Sequence, residues 1–486
     1  MNQILGILFF AGAAAWSYRR HQRERDWIKP VLVCLFCTWW LASVMCPFFK
    51  VIRNPVYVVL AVLSFTWNRS DRSSNWTILF HPALFCFVAL IAASILWAVN
   101  PEDVTLRVVG LLLVFVFIWN LLRSTDLNQI ATWLADGLLY ASYATIVLIA
   151  VGGGASNPAQ GGERLNLGDD LQATGTAALC LWSLVRLFAE GVITHGKRRI
   201  FHFILAAVAL VAMIRTGTRG TLIQLVIVLP LLSTIRLPVK RAAALAMRCL
   251  LLAVVMLAAG AAIWSLLGEE KQSKYMTLFR IDKDDGVKDS RSFVWIPAIQ
   301  KAKERPWLGR GLGSSSFFMF SDDEYRDSSY AGLPYRTTVH SQYLEIFYEF
   351  GVLGFLVFIW LQAALLRNVV RIYSYGGPQA ALWRVLAIYS VVGVAEGLTH
   401  GGQITTGELN MIQRWLLYCC VLTFPLAFAS HQQSAVSRLK ARLRASQGKQ
   451  VSISQPLQMA QASHKVYTSA KRVWPRHSPF RRLIFK

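Results

Sequence analysis

Apolar runs long enough to cross a bilayer recur along this chain, separated by short polar stretches, and within each run the apolar residues are continuous rather than alternating. A transmembrane helix needs on the order of 20 such residues. The pattern predicts spans near 28–49, 76–98, 104–122, 130–151, 171–189, 199–215, 220–236, 246–267, 343–366, 380–398 and 411–429, with shorter candidates at 3–17 and 55–67. Continuity argues against a β-barrel, whose strands alternate at every second residue. In lipid each backbone polar group also has to be paired within its own segment. The expectation is an all-α polytopic membrane protein with about 12–13 transmembrane helices. Residues 3–17 have the length of a signal-peptide core, but Arg19, Arg20, Arg23 and Arg25 follow it instead of preceding it, so it reads as a first span.

Composition agrees with that class: 55% of the 486 residues are hydrophobic and 16% charged. Charge adds orientation. Lys and Arg gather in 19–29, 69–72, 197–199, 236–241, 367–371 and 431–486, which fall on one side if the spans alternate, and that side is expected to be the cytoplasm. The loops 99–103, 152–170, 216–219, 268–342 and 399–410 then face outward. The expected organisation is a membrane domain over 1–430 with one large outer loop at 268–342, followed by a basic cytoplasmic tail at 431–486.

The net charge of +24 does not point to nucleic acid, because about half of it lies in a tail without a single Asp or Glu. Anionic lipid head groups are the expected partner of that tail. Val436, Leu439 and Leu443 recur there at helical spacing beside Arg438, Lys440, Arg442 and Arg444, as an interfacial helix requires. The eight cysteines all fall within or at the ends of apolar spans and imply neither a disulfide framework nor a metal site. Cys34-x-x-Cys37 lies mid-helix with no second pair. The sequons at Asn68 and Asn75 fall in a loop assigned to the cytoplasm.

Candidate chemistry concentrates between Arg215 and Glu349. Arg215-Thr216-Gly217-Thr218-Arg219-Gly220 is a tight turn between two spans. Its arginines would serve as ordinary interfacial anchors, or Arg219 and Gly220 would open the next helix with free N–H groups that favour an anion. Residues 291–304 have helical spacing and carry Arg291 and Trp295, and Pro306 through Gly313 include the run Gly309-Arg310-Gly311-Leu312-Gly313. No strand precedes that run, so a dinucleotide fingerprint is rejected. Such a turn either presents N–H groups to phosphate or brings the loop close against the helices. His340 enters the next span, with Ser341, Glu345 and Glu349 on one helix face. Carboxylates in a membrane span usually face a polar cavity. Glu396 and His400 end the penultimate span and would line the same outer cavity.

Taken in order, these residues resemble the O-antigen ligase and polymerase superfamily of bacterial surface-polysaccharide assembly. The likeness rests on Thr216 through Gly220, on Arg291 with Trp295, on Pro306 through Gly313, and on His340 through Gly354 with its Glu-x-Gly-x-x-Gly. Ser341 departs from the family, which often has Asn there. The resemblance implies a GT-C-like fold in the bacterial inner membrane with the site facing the periplasm. It also implies a metal-independent, cofactor-free, inverting transfer of a glycan from an undecaprenyl-diphosphate-linked donor to an acceptor hydroxyl. Arg219 and Arg291 would hold the diphosphate, with Arg215 and Arg310 as further ligands. His340 would activate the acceptor or support the phosphate, and Glu345 and Glu349 would support the cations. The acceptor is lipid A core in a ligase and a growing lipid-linked glycan in a polymerase, where a chain-length regulator is a further partner. A lipid-linked-oligosaccharide flippase is the rival from another class.

Overall fold

The computed structural model describes residues 2–24, 26–46, 48–67, 81–99, 101–152, 173–216, 218–237, 241, 244, 295, 298–314, 339, 341–375, 377, 379–397 and 413–425. Among them the regular secondary structure is helical, and no strand occurs. In chain order the helices are α1 (Asn2–His21), α2 (Ile28–Met45), α3 (Phe48–Val51), α4 (Arg53–Phe65), α5 (Pro82–Ala93), α6 (Pro101–Ser124), α7 (Leu127–Gly152), α8 (Ala173–Ile193), α9 (Lys197–Arg215) and α10 (Arg219–Ser233), then α11 (Gln342–Tyr373) and α12 (Ala380–Glu396). Residues 413–425 form a last helix, α13. The expected span at 246–267, the sequons at Asn68 and Asn75 and the tail helix at 436–444 lie outside the described residues. The chain divides into Met1–Phe424 and Pro425–Lys486, and beyond Pro425 the second unit is likewise outside them.

Four of the described helices are long and apolar enough to cross a membrane: Val104–Ser124, Leu127–Val151, Gly175–Ile193 and Gln342–Tyr373. Ile28–Trp39, Pro55–Phe65, Pro82–Leu96 and Gly220–Ser233 are shorter apolar helices. Apolar burial gives little drive for association inside lipid, so close approach of small residues matters more. Gly137 of α7 shows this: a Cβ there would stand 2.8 Å from the Cys37 sulfur and 3.0 Å from the Cys34 Cα. The Cys34-x-x-Cys37 pair is thus packing surface for α7, and both thiols are free and buried. At the start of α5, His81 caps the helix by accepting from the Ala83 N–H at 3.2 Å, with Pro82 in the first turn.

Basic side chains tie one end of the bundle together. Arg384 of α12 donates to the carbonyls of Thr234, Ile235 and Leu237, at 3.0, 3.1 and 2.6 Å. These carbonyls belong to the C-cap of α10 and the turn after it, where a cation also complements the negative end of the helix dipole. At the same end Trp383 donates to Asn128 (2.9 Å), the Trp383 and Phe424 rings meet at 4.6 Å, and Arg236 bonds the Ile193 carbonyl. We call this the basic end.

At the C-terminal end of α1 lies an ionic cluster centred on the buried His21 and Asp136. Asp136 of α7 pairs with Arg20 (2.8 Å) and with His21 (3.3 Å), and the other His21 nitrogen meets Glu24 at 2.7 Å. Burial lowers the His21 pKa, but the bonds to Asp136 and Glu24 outweigh it and hold the imidazole above its ordinary value. A raised folded-state pKa contributes stability that is fully present below the unfolded value of about 6.5 and is lost as pH rises through the folded value. Thermal unfolding in detergent is therefore expected to fall in midpoint as pH increases from about 6 to 8. His21→Gln should flatten that slope, and an unchanged slope would remove His21 from the account.

Candidate functional site

The Arg215–Gly220 turn resolves into two helix ends. α9 finishes at Arg215, which is exposed, and α10 opens at Arg219 as the turn chemistry predicts. Thr216 and Thr218 make the turn: Thr216 Oγ1 donates to the Met213 carbonyl at 2.6 Å and accepts from the Thr218 N–H at 3.3 Å. Thr216, Thr221 and Gln224 are fully or almost fully buried, so the first turn of α10 points polar groups into the bundle. The Arg219 side chain, Arg291 and His340 lie outside the described residues.

The glycine run and the Glu-x-Gly motif lock onto each other. α11 reads as one apolar run, but its backbone breaks at Gly351 (φ 64, ψ −161). A break at membrane depth leaves N–H and C=O groups that something else must pair. The loop before α11 supplies the partners. Arg310 and Gly311 N–H groups donate to the Glu349 carbonyl at 3.0 and 2.8 Å, and Val352 and Leu353 N–H groups donate to the carbonyls of Pro306 (2.7 Å) and Trp307 (3.3 Å). Gly309 and Gly351 both hold positive φ, and a Cβ on either would overlap the opposing backbone. Of the two roles open to the glycine run, the geometry realises close approach, since two of its N–H groups are taken by α11.

Arg310 is ion-paired with Glu304 and lies 5.8 Å from the Tyr348 ring centroid. Ahead of it, the helical residues Ala298 and Ala302 pack with Val339 and Tyr348, flanked by Trp295, Leu344 and Phe347. Trp295 donates to the Val339 carbonyl at 2.8 Å. In the chain, Arg291 precedes this contact by one helical turn and His340 follows it by one residue. Glu345 and Glu349 are fully buried on the first part of α11, and Ser341 is its N-cap residue.

The start of α11 meets the end of α12: the Gln342 N–H donates to the Gly397 carbonyl at 2.8 Å and the Tyr343 hydroxyl to the Val394 carbonyl at 3.3 Å. There the structure holds a residue that the span pattern concealed. Arg414 of α13 is ion-paired with Glu396 of α12, both at most 3% exposed. Trp182 of α8 donates to the same carboxylate at 3.3 Å and lies under the guanidinium at 5.5 Å. Among the described residues Arg414 Nε and Nη1 are buried without a hydrogen-bond partner. They adjoin a cavity of about 30 Å³, lined also by Ser142, Thr145, Ser183 and Gln413, with room for about two waters.

Helical rise gives the depth of this pair. Arg384 touches the end of α10, so Glu396 stands about 18 Å and Arg219 about 22 Å from the basic end, at ~1.5 Å per residue. Arg414 precedes Phe424 by a rise of about 15 Å, so the pair lies well inside the bundle from the basic end. Two opposite charges in consecutive spans, Glu396 and Arg414, were the signal available in the sequence. Removing one partner of such a pair costs about 3–5 kcal/mol, and removing both costs less. Arg414→Met and Glu396→Met are each expected to lower the thermal midpoint strongly, with the double variant closer to wild type than either. A double variant worse than both singles would show that the two groups act independently.

Among the described residues no group of three or more His, Cys, Asp or Glu side chains is placed to hold a metal ion. The helices long and apolar enough to cross a membrane make this an integral membrane protein. No curated protein matches the chain. Residues 204–359, which contain the later part of α9, all of α10, the glycine loop and the broken start of α11, match the family model described as O-Antigen ligase. That match, over about a third of the chain, supports the O-antigen ligase and polymerase superfamily and a membrane protein that handles glycans.

Proposed function

We propose that the chain is a glycosyltransferase of the bacterial inner membrane, with a GT-C-like helical bundle and its site at the periplasmic face. It moves a glycan from an undecaprenyl-diphosphate-linked donor to an acceptor hydroxyl, and the acceptor is lipid A core, as in a ligase. The observation that carries this reading is the Trp295–Val339 contact inside the matched stretch, which joins the two segments that carry Arg291 and His340 in the chain. The opening of α10 at Arg219 supports it, because a helix N-terminus and a guanidinium both favour a diphosphate.

In the proposed reaction the acceptor oxygen attacks the anomeric carbon from the face opposite the diphosphate. The C–O bond to phosphorus breaks, and the diphosphate leaves on its lipid with inversion at carbon. Arg219 and Arg291 stabilise the charge growing on the leaving oxygens, with Arg215 and Arg310 as outer ligands. His340 takes the acceptor proton or hydrogen-bonds the phosphate, and Glu345 and Glu349 hold the cations in place. The chemistry asks for neither metal nor cofactor, since the arginines supply the positive charge. The basic tail rests on anionic lipid at the cytoplasmic face.

The test offers lipid A core in one reaction and donor alone in another. Glycan on lipid A core supports the ligase reading. Lengthening of the donor alone would replace it with a polymerase, whose chain-length regulator then becomes a partner. The same donor appearing intact in the opposite leaflet would replace both with a flippase.

A further inference from the structure

A second cavity lies away from this site, between α4, α5 and α6. Its volume is about 740 Å³, within the ~300–1,000 Å³ range of ligand pockets. Phe65, Phe85, Val88, Leu112, Phe115 and Val116 form its apolar walls, and the polar groups Asn120, Arg123, Ser124 and Trp67 line it too. These are not scattered. Arg123 and Ser124 end α6 and Trp67 follows α4, whereas Leu112, Phe115 and Val116 lie two to three turns deeper along α6. The polar groups therefore stand at the basic end, and the apolar walls run toward the middle of the bundle.

The polar end is built from several helices. Asn120 donates to Ser64 Oγ at 2.8 Å. Lys29 of α2, only 3% exposed, reaches the Ser124 carbonyl at 3.5 Å and lies 5.4 Å from the Trp67 ring centroid. Asp26 pairs with Lys29 at 3.0 Å, and Arg123 lines the cavity at the same end. Phe65 and Phe85, which line the cavity, are 71% and 63% exposed. In a bilayer that surface faces acyl chains.

We propose that this cavity binds an anionic glycerophospholipid, with one acyl chain along Val88, Leu112 and Val116 and the phosphate at the polar end, beside Arg123. An apolar void of this size would forfeit the dispersion contacts of its walls if left empty, and it has no polar lining at depth to hold water. Cations next to aromatic and amide groups at the interface suit a phosphodiester head group. The charge at the opening selects an anionic lipid over a zwitterionic one of the same chain length.

The test uses the full-length protein in nanodiscs with phosphatidylglycerol or phosphatidylcholine that carries a photoreactive group in one acyl chain, followed by peptide mapping. The anionic probe should label peptides of α5 and α6 about five-fold more than the zwitterionic one for each basic side chain engaged. Arg123→Gln should remove most of that preference. Val116→Trp, which fills the cavity without changing charge, should remove labelling by both probes at these peptides alone. Equal labelling by the two probes, no labelling of α5 and α6, or displacement of the probe by polyprenyl phosphate but not by unlabelled phosphatidylglycerol would each overturn the proposal.

Discussion

Arg219→Ala is expected to lower glycan transfer by about 10²- to 10³-fold, the loss typical of removing one preorganised donor to a developing anion. The loss should appear in kcat, because diphosphate gains charge as the glycosidic bond breaks and the guanidinium acts mainly on that state. Folding should be almost unaffected. α10 is held at its far end by Arg384 and along its length by the burial of Thr221, Gln224 and Val228. Arg219→Lys should restore only part of the rate, since an ammonium cannot make the paired contact of a planar guanidinium. Arg291→Ala should behave alike. A transfer assay on purified protein, read beside its thermal midpoint, separates this from unfolding. A variant that transfers normally would remove Arg219 from the reaction.

Gly351→Ala should lose the folded protein instead. A left-handed backbone costs a non-glycine residue about 1–2 kcal/mol, and a Cβ at this position overlaps the Pro306–Trp307 backbone. Relief of the overlap pulls the loop from α11 and breaks the bonds from Arg310, Gly311, Val352 and Leu353, at about 1–3 kcal/mol for each buried group left unpaired. The sum reaches several kcal/mol, a large part of a typical net stability of about 5–15 kcal/mol. Gly309→Ala should match it, because the two glycines face each other across the same contact. Gly196→Ala is the control: its φ is also +64, but nothing lies within 4 Å of a Cβ there. That variant should cost only the backbone strain. Similar melting of all three variants would show that overlap plays no part.

The helices were legible because their signal is local. Spans expected at 199–215 and 220–236 appear as Lys197–Arg215 and Arg219–Ser233, since apolar length and flanking polar residues set them without help from elsewhere. The break at Gly351 was not legible. Residues 343–366 read as one continuous run, and the break exists only because Pro306 and Trp307 pair the freed groups. The glycine run at 309–313 left close approach open as one of two roles and did not identify the partner. Arg414 was hidden for a related reason. A single arginine near the start of an apolar run looks like an interfacial anchor, and only the packing of α8, α12 and α13 turns it into a buried ion pair with Glu396. Arg310 reads in sequence as a cation available to phosphate, and the structure adds Glu304 as its ion-pair partner, which the sequence did not identify.

The most direct test of the account follows the diphosphate. Purified protein in liposomes is given donor lipid and acceptor, and free polyprenyl diphosphate is measured beside glycan on the acceptor. The account predicts equal amounts of the two, with both falling together in Arg219→Ala, Arg291→Ala and His340→Ala. Donor lipid that changes leaflet with its sugar–phosphate bond intact, and no free polyprenyl diphosphate, would contradict it.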